Sequence, residues 1–323
     1  MKAVQFQATG GPEVLEVVDV PTPVAGPGQV LVRQQAIGVN FIDTYHRSGL
    51  YPVQLPSRLG MEGAGVVEAV GADVTRFKAG DLVAYASGPL GAYAEYHAVA
   101  AGRAIALPEG IDATTGAAAM LKGMTAEFLL RRCYAVKAGE TILVHAAAGG
   151  VGSILVQWAK HLGVTVIATA GSPDKAERAR SLGADHVILY RDQDVAAEVR
   201  KITDGKGVPV AYDSVGAATF EGTLGSLARR GLFVSFGNAS GAVPPFAPAR
   251  LAQGGSLFFT RPTMGDYQVT TEELDESAAA LFAVIKSGAV KIDIGQTFPL
   301  AQARQAHEAL EGRATVGASL LVP

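Results

Sequence analysis

The chain has 323 residues, 49% hydrophobic and 18% charged, with a formal net charge of −3. That length suits two domains or one large one, and mild acidity without a Lys/Arg run gives no electrostatic reason to bind nucleic acid. One cysteine, Cys133, excludes an intramolecular disulfide and any multi-cysteine metal site.

The first stretch, MKAVQFQATGG, lacks the apolar core of a signal peptide, so a cytoplasmic location is expected. Glycine is frequent, 39 of 323 residues, against an average of about 7%, so many tight turns are expected. Residues 1–122 read as short strands punctuated by Gly10-Gly11-Pro12, Pro21-Thr22-Pro23 and Gly26-Pro27-Gly28, with strand cores at 30–32, 65–67 and 81–84. Long helical periodicity is scarce there, which predicts a mainly β domain. Cys133 follows, and is expected to be an inert core thiol.

From 123 to 263 strands alternate with helices. Ile142-Leu143-Val144 is the unbroken apolar run of a strand buried on both faces. A glycine turn follows, then Val151, Ile154, Leu155, Trp158, Ala159 and Leu162 mark one face of a helix that Gly163 ends. Thr141–Ala159 carries no charge and reaches the ~18 residues of a membrane span, but its glycines, His145 and Gln157 argue against one. Further strands are predicted at 164–168, 187–189, 208–212, 232–236 and 257–259, with helices at 173–183 and 194–202. Six strands with crossover helices imply an α/β fold with a doubly wound parallel sheet and a ligand at the strands' carboxyl ends. The tail breaks this alternation. Thr270-x-x-Glu273 opens a helix as a capping box, a second helix spans 301–310, and a last strand covers 318–322, so the tail is expected to return to the first domain. The expected domains are therefore 1–122 with 264–323, and 123–263.

Strand, glycine turn and helix together place backbone N–H groups where a phosphate can sit. Against G-x-G-x-x-G the turn reads Ala147-Ala148-Gly149-Gly150-Val151-Gly152. Gly149 remains for close backbone approach and Gly152 for helix–strand packing, so the segment is read as a pyrophosphate cradle. An NAD site usually has an acid about 20 residues on that binds the ribose 2′-OH. Here the second strand runs into Gly171-Ser172-Pro173-Asp174-Lys175, with no carboxylate at its end. A Ser N-cap, Pro at the first helical position and the Lys175 ammonium suit the 2′-phosphate of NADPH. An ordinary helix start with a solvated lysine fits the segment equally. Asp174 sits awkwardly beside a 2′-phosphate, and its benign reading is a first-turn acid favoured by the helix dipole.

The segments GVNFIDTYHRSGLYP (38–52), GMEGAGVVEAVG (60–71), LKGMTA (121–126), VHAAAGGVG (144–152), YDSVG (212–216), SFGNASG (235–241), FTRPT (259–263) and RATVGASLLVP (313–323) carry a resemblance over nearly the whole length. The chain resembles quinone oxidoreductases of the zeta-crystallin type, in the medium-chain dehydrogenase/reductase superfamily. That resemblance implies a GroES-like mainly-β domain, to which the tail returns, beside a Rossmann domain with a six-stranded sheet, NADPH lying in the cleft. It implies that Asn40, Phe41, Asp43 and Thr44 approach the nicotinamide end, together with Phe236, Gly237, Asn238, Phe259, Thr260 and Arg261. Gly150 and Val151 would meet the pyrophosphate, and Gly171, Ser172 and Lys175 the 2′-phosphate. Tyr190 would lie on the adenine, while Ser214 and Arg313 also reach the cofactor. Phe128 is a departure, because close relatives can carry Tyr there.

Zinc alcohol dehydrogenases of the same superfamily hold metal through a Cys and a His at positions that are Asn40 and Met61 here, and a catalytic zinc needs three protein ligands. No metal is therefore expected. Without a Lewis acid, hydride delivery to a simple ketone builds a localised alkoxide. A quinone spreads the charge over a ring that becomes aromatic, and an α,β-unsaturated carbonyl spreads it as an enolate, so both remain candidate substrates. Asn40, Tyr45 and Tyr51 are the candidate catalytic residues lining the slot: tyrosine, with a pKa near ~10, stays a donor at neutral pH and offers a stacking face. For both tyrosines a loop-packing role is the alternative. The run 255–260 reads as an apolar sheet edge that invites pairing, and the resemblance implies a homodimer joined through strand 256–260. RNA binding or a structural role is the alternative of another class, and the net acidity weighs against it.

Overall fold

A computed structural model describes residues 1–323 and divides them into two units, Met1–Met124 with Val269–Phe282 and Ile292–Pro323, and Thr125–Gln268 with Ala283–Lys291. The first unit opens with β1 (Lys2–Phe6), β2 (Glu16–Asp19), β3 (Gln29–Val39), α1 (Phe41–Ser48), β4 (Ser57–Arg58) and β5 (Gly63–Val70). It continues through β6 (Leu82–Tyr85), β7 (Tyr96–Ala100) and β8 (Ile105–Ala106) into α2 (Ala113–Phe128), along which the chain passes to the second unit. There follow β9 (Thr141–Val144), α3 (Gly150–His161), β10 (Thr165–Ala170), α4 (Pro173–Ser181), β11 (His186–Leu189) and α5 (Val195–Ile202). Next come β12 (Val208–Asp213), α6 (Phe220–Ser226), β13 (Leu227–Ser235), α7 (Ala249–Gln253) and β14 (Phe258–Thr260). The tail forms α8 (Thr271–Lys286), β15 (Ile294–Pro299), α9 (Ala303–Glu311) and β16 (Ala318–Val322).

In the first unit β3 is the spine. It pairs antiparallel with β5 and β7 along its length and with β16 at its end, in a seven-stranded sheet ordered β15-β16-β3-β5-β6-β8. Val30, Val32, Ile37 and Val39 on β3 are buried with Val67, Val83, Leu310 and Leu321. Each such side chain contributes about 1.5–3 kcal/mol relative to an exposed position. The tail thus returns to this unit as expected, through β15, α9 and β16.

The second unit is a parallel sheet of six strands ordered β11-β10-β9-β12-β13-β14. The chain enters at β9, steps outward to β11, then returns to β12 on the other side of β9. That reversal opens a crevice at the carboxyl ends of β9 and β12, the place where doubly wound sheets bind ligands. Leu143, Ile167, Val208, Ala211, Phe220 and Phe233 form the core beneath it.

Several readings need correction. Two helices lie within the stretch expected to be β: α1 and the sixteen-residue α2. In α2 the residues Ala117, Ala118, Ala119, Met120, Met124 and Ala126 are all fully buried, so its apolar character has no single face from which a period could be read. The units also divide differently from the expected boundaries, since 264–268 and 283–291 belong with the second. Cys133 is half-buried rather than in the core, and burial still pushes its thiol up.

Candidate functional site

On the first unit the site is built where β3 runs into α1. Asn40 is extended (φ −135°, ψ 154°), and the chain turns into the helix as the Asp43 Oδ2 accepts the Asn40 N–H at 2.8 Å. The Asn40 side chain is oriented from below: its Nδ2 donates to Glu62 Oε2 at 2.8 Å. Lys122 Nζ donates to the same oxygen at 3.1 Å, and the Leu121 N–H to Oε1 at 2.6 Å. A buried carboxylate is costly unless paired and hydrogen-bonded, and here a cation and two neutral donors satisfy both oxygens. Gly38 makes room, because a Cβ there would collide with that carboxylate.

Asp43 belongs to a second buried network. Its Oδ2 also accepts the Tyr93 hydroxyl at 2.9 Å, while its Oδ1 is buried without a partner. Burial raises this carboxyl to about 7, outweighing the Asn40 and Tyr93 hydrogen bonds that favour the anion. Tyr93 meets His307 Nε2 at 3.1 Å, and Arg47 meets His307 Nδ1 at 3.0 Å. A guanidinium only donates, so Nδ1 is the acceptor and Nε2 carries the proton. Burial, helped by the Arg47 charge, lowers His307 to about 3, and the ring stays neutral. Arg47 in turn forks onto Glu311, which ties α1 to α9.

Tyr45 and Tyr51 are brought together, their rings edge-to-face with centroids 5.3 Å apart, and Phe41 and His46 flank them. Tyr45 is buried and Tyr51 half-buried. Thr44 turns inward, donating to the Phe41 carbonyl at 2.8 Å. Arg313 is exposed with a left-handed φ of 57°.

On the second unit the glycine turn lies at the carboxyl end of β9. Gly149 is the N-cap of α3 and offers no side chain to satisfy the first-turn N–H groups, leaving an anion-binding terminus at Gly150 and Val151. Gly152 has no room for a Cβ, which would strike the Ala146 carbonyl and Ala147 Cα. Ala146 itself takes a left-handed φ of 50°, a conformation that favours glycine. At the end of β10, Gly171 yields to the Tyr190 ring: an added Cβ would lie 2.7 Å from its hydroxyl. Ser172 caps α4 by accepting the Lys175 N–H at 3.4 Å. Gly171, Ser172, Lys175 and Tyr190 thus form one half-exposed cluster whose donor set suits a phosphate. Ser214 and Gly237 pack backbone to backbone, and Asn238 accepts the Gly241 N–H at 3.0 Å. The Phe236 N–H donates to the Asp213 carbonyl at 2.8 Å, and Arg261 anchors on the Ser235 carbonyl at 3.0 Å. These features together fit a dinucleotide.

Phe259 and Thr260 lie on β14, and Phe128 ends α2. The Phe259 ring packs into the core between Phe233 and Phe246, at 5.0 and 5.2 Å, with Thr260 half-exposed after it. Phe128 is buried and stacks on Tyr267 at 4.6 Å. Glu62 and Lys122 carry no role in the sequence reading. The available signal was charge out of place, an acid within a Gly/Val run and a lysine within an Ala/Met helix. No group of three or more His, Cys, Asp or Glu side chains is placed to hold a metal ion.

Two family models match the chain: an alcohol dehydrogenase GroES-like domain over residues 26–109 and a zinc-binding dehydrogenase over residues 150–282. A quinone oxidoreductase of Pseudomonas aeruginosa is 55% identical over 323 residues, covering 100% of this chain and 99% of that protein. A 2-haloacrylate reductase of a Burkholderia species is 46% identical over 323 residues, covering 97% of this chain and 96% of its own. The crystal structure of Escherichia coli quinone oxidoreductase complexed with NADPH matches with a TM-score of 0.99 and 49% identity, covering 100% of both chains.

Proposed function

Because the chain belongs to the quinone oxidoreductase family of the medium-chain dehydrogenases/reductases, we propose that it transfers reducing equivalents from NADPH to quinones without a bound zinc. The observation that carries this reading is the pairing of an α3 N-terminus without a side-chain cap with a Ser172/Lys175 cluster at the end of β10, a strand that itself ends without a carboxylate. When bound, NADPH supplies the hydride. Gly150 and Val151 hold its pyrophosphate on backbone N–H groups, and Ser172 and Lys175 hold the 2′-phosphate. Tyr190 packs on the adenine, and Ser214, Gly237, Asn238 and Arg261 line the remaining length. Asn40, its amide fixed by Glu62, orients a carbonyl or ribose hydroxyl, with Asp43 and Thr44 beside it. Tyr45 and Tyr51 present an aromatic face and hydroxyl donors to the quinone.

The donor set supports the zinc-independent reading. Glu62 is already saturated by Lys122, Asn40 and Leu121, and Met61 offers only a thioether. A quinone suits such a site because its ring disperses the arriving charge, so hydrogen-bond donors suffice. The likeness to a 2-haloacrylate reductase supports a second reading, reduction of α,β-unsaturated carbonyls. The chain is proposed to act in the cytoplasm as a homodimer joined edge to edge at β14, where Phe258 is exposed at the end of the sheet. No helix is long and apolar enough to cross a membrane.

Fluorescence titration with NADPH and NADH, then side-by-side turnover of a naphthoquinone and a 2-alkenal with and without chelator, tests these assignments. Tighter binding of NADPH and chelator-resistant quinone turnover are expected. Absence of NADPH binding, or activity that needs added divalent ions, would overturn them. Sedimentation as a monomer at micromolar concentration would remove the dimer.

A further inference from the structure

Beneath the nucleotide loops lies a buried polar network that the proposed reaction does not use. His145 follows β9, Thr169 is near the end of β10, Asp213 ends β12, and Thr219 and Thr223 stand at and within the start of α6. All five are buried, His145 at 1% exposure and Thr169, Asp213 and Thr223 at 0%. His145 Nδ1 lies 3.0 Å from Thr169 Oγ1, and Nε2 lies 2.9 Å from Thr223 Oγ1. Asp213 Oδ2 accepts from Thr223 at 2.8 Å and from Thr219 at 2.7 Å. Asp213 Oδ1 accepts the Val215 and Gly216 N–H groups at 2.7 and 3.1 Å.

Thr223 has one hydroxyl proton and two oxygens within reach of it, Asp213 Oδ2 at 2.8 Å and the Thr219 carbonyl at 2.7 Å. With that proton directed to either of them, the Thr223 oxygen accepts from His145 Nε2–H. His145 Nδ1 is then the acceptor for the Thr169 hydroxyl. The imidazole is neutral in this arrangement, in keeping with the lowering of its pKa by burial.

Each end of the network holds a segment assigned to the dinucleotide. His145 begins the turn that leads to Gly149, and that turn is strapped to both neighbours, His145 N–H to the Tyr212 carbonyl at 2.9 Å and Ala147 N–H to the Thr169 carbonyl at 3.2 Å. Thr169 precedes Gly171 and Ser172 by only a few bonds. Asp213 immediately precedes Ser214, and its carboxylate pins the Val215 and Gly216 N–H groups that follow it. The segments above are half-exposed, whereas the network is dry. An apolar core could fill this space equally well, but hydrogen bonds add direction, and buried polar networks impose one arrangement when every member is satisfied.

We propose that Asp213, Thr223, His145 and Thr169 are positioning residues that set NADPH affinity by holding the glycine turn, the Gly171–Lys175 segment and Ser214 in register, without touching the coenzyme. This rests on the NADPH reading above. Thr223→Val keeps the side chain's shape but removes the hydroxyl proton that Asp213 and the Thr219 carbonyl share and the acceptor for His145. The test compares parent, Thr223→Val, Thr169→Val and Thr223→Ser by NADPH fluorescence titration and by steady-state turnover of a naphthoquinone.

Thr223→Val is expected to raise both Kd and KM for NADPH by about tenfold, which corresponds to about 1.4 kcal/mol, while kcat at saturating NADPH changes less than twofold. Thr223→Ser should restore affinity. Should Thr223→Val fail to fold, Thr169→Val carries the test, since it removes a single donor to His145. An unchanged NADPH Kd in the folded Val variants, a fall in kcat with KM unmoved, or no rescue by Ser would overturn the proposal. If the parent itself binds neither NADPH nor NADH, the functional reading falls along with it; parental binding with unaffected variants sinks the network alone.

Discussion

Replacing Lys122 by Met keeps most of the side-chain volume but leaves the Glu62 carboxylate with only the Asn40 amide and the Leu121 N–H as donors. The two charged side chains are 7% and 0% exposed and 3.1 Å apart, so neither charge is relieved by water. Breaking one side of such a pair costs about 3–5 kcal/mol, because the remaining charge stays buried. For a domain of this size that is a fall in Tm of roughly 2–4 °C per kcal/mol. Glu62→Gln strands the ammonium instead and should cost a similar amount. The double variant has no buried charge, so its loss should fall short of the sum of the single losses by about 1–3 kcal/mol. Calorimetry on the four proteins completes the cycle. A loss below about 1 kcal/mol for Lys122→Met, or additivity within about 0.5 kcal/mol, would refute the claim that this pair is dry and holds Asn40 from below.

Stability should depend on pH through the buried histidines and Asp43. His97 and His307 are held at about 4 and 3 by burial, so as pH falls below about 6.5 the unfolded chain takes up protons that the fold refuses. Stability is then lost on acidification, at about 1.4 kcal/mol per pH unit for each fully titrating group, and His307→Gln should remove one such contribution from denaturation curves between pH 4 and 6. Asp43 works the other way: its carboxyl is raised to about 7, so the fold keeps a proton that the unfolded chain has lost and stability drains away as pH rises toward 7. Asp43→Asn should abolish that decline, and a parental slope persisting in the variant would dismiss Asp43 as its source. Lys175→Glu should reverse the NADPH:NADH preference in kcat/KM, and an unmoved ratio would release Lys175 from the 2′-phosphate. Gly152→Ala should lower stability by a few kcal/mol, in line with overpacking against backbone; a wild-type melting curve would contradict the close approach of α3 to the Ala146 carbonyl.

The second unit was legible because its physics is local. A parallel strand is apolar along its length, as Ile142–Val144 and Val208–Tyr212 are, and the helices between carry one apolar face and a glycine or a cap at their ends. Ser172 and Asp194 both accept the backbone N–H three residues on, as their identities at helix starts imply. The Thr270/Glu273 capping box likewise closes in both directions. The first unit was legible only as many short strands. Helix α2 was invisible because a stretch of alanine, glycine and methionine buried on all sides has no polar face against which a period stands out, and α1 because its buried Asp43 and Arg47 break any apolar stripe.

Charges in the interior were the least legible feature for a related reason. Sequence assigns Arg47, Glu62 and Lys122 to the surface by default, since an ionised side chain is seldom buried without a partner. The partners lie far along the chain: Glu62 meets Lys122 sixty residues later, and Arg47 meets Glu311 across 264. No local spacing rule connects them, so only the fold brings each charge to its counter-group. A motif such as GMEGAG is therefore informative in two ways, its glycines through local sterics and its acid through a distant cation. The residues that meet a ligand can be read from the first kind of signal, whereas those that hold these residues in place follow the second. If that division is general in this chain, substitutions at the glycine turn should impair coenzyme binding and local packing together, whereas those at Glu62 or Thr223 should act only through the side chains and loops they restrain.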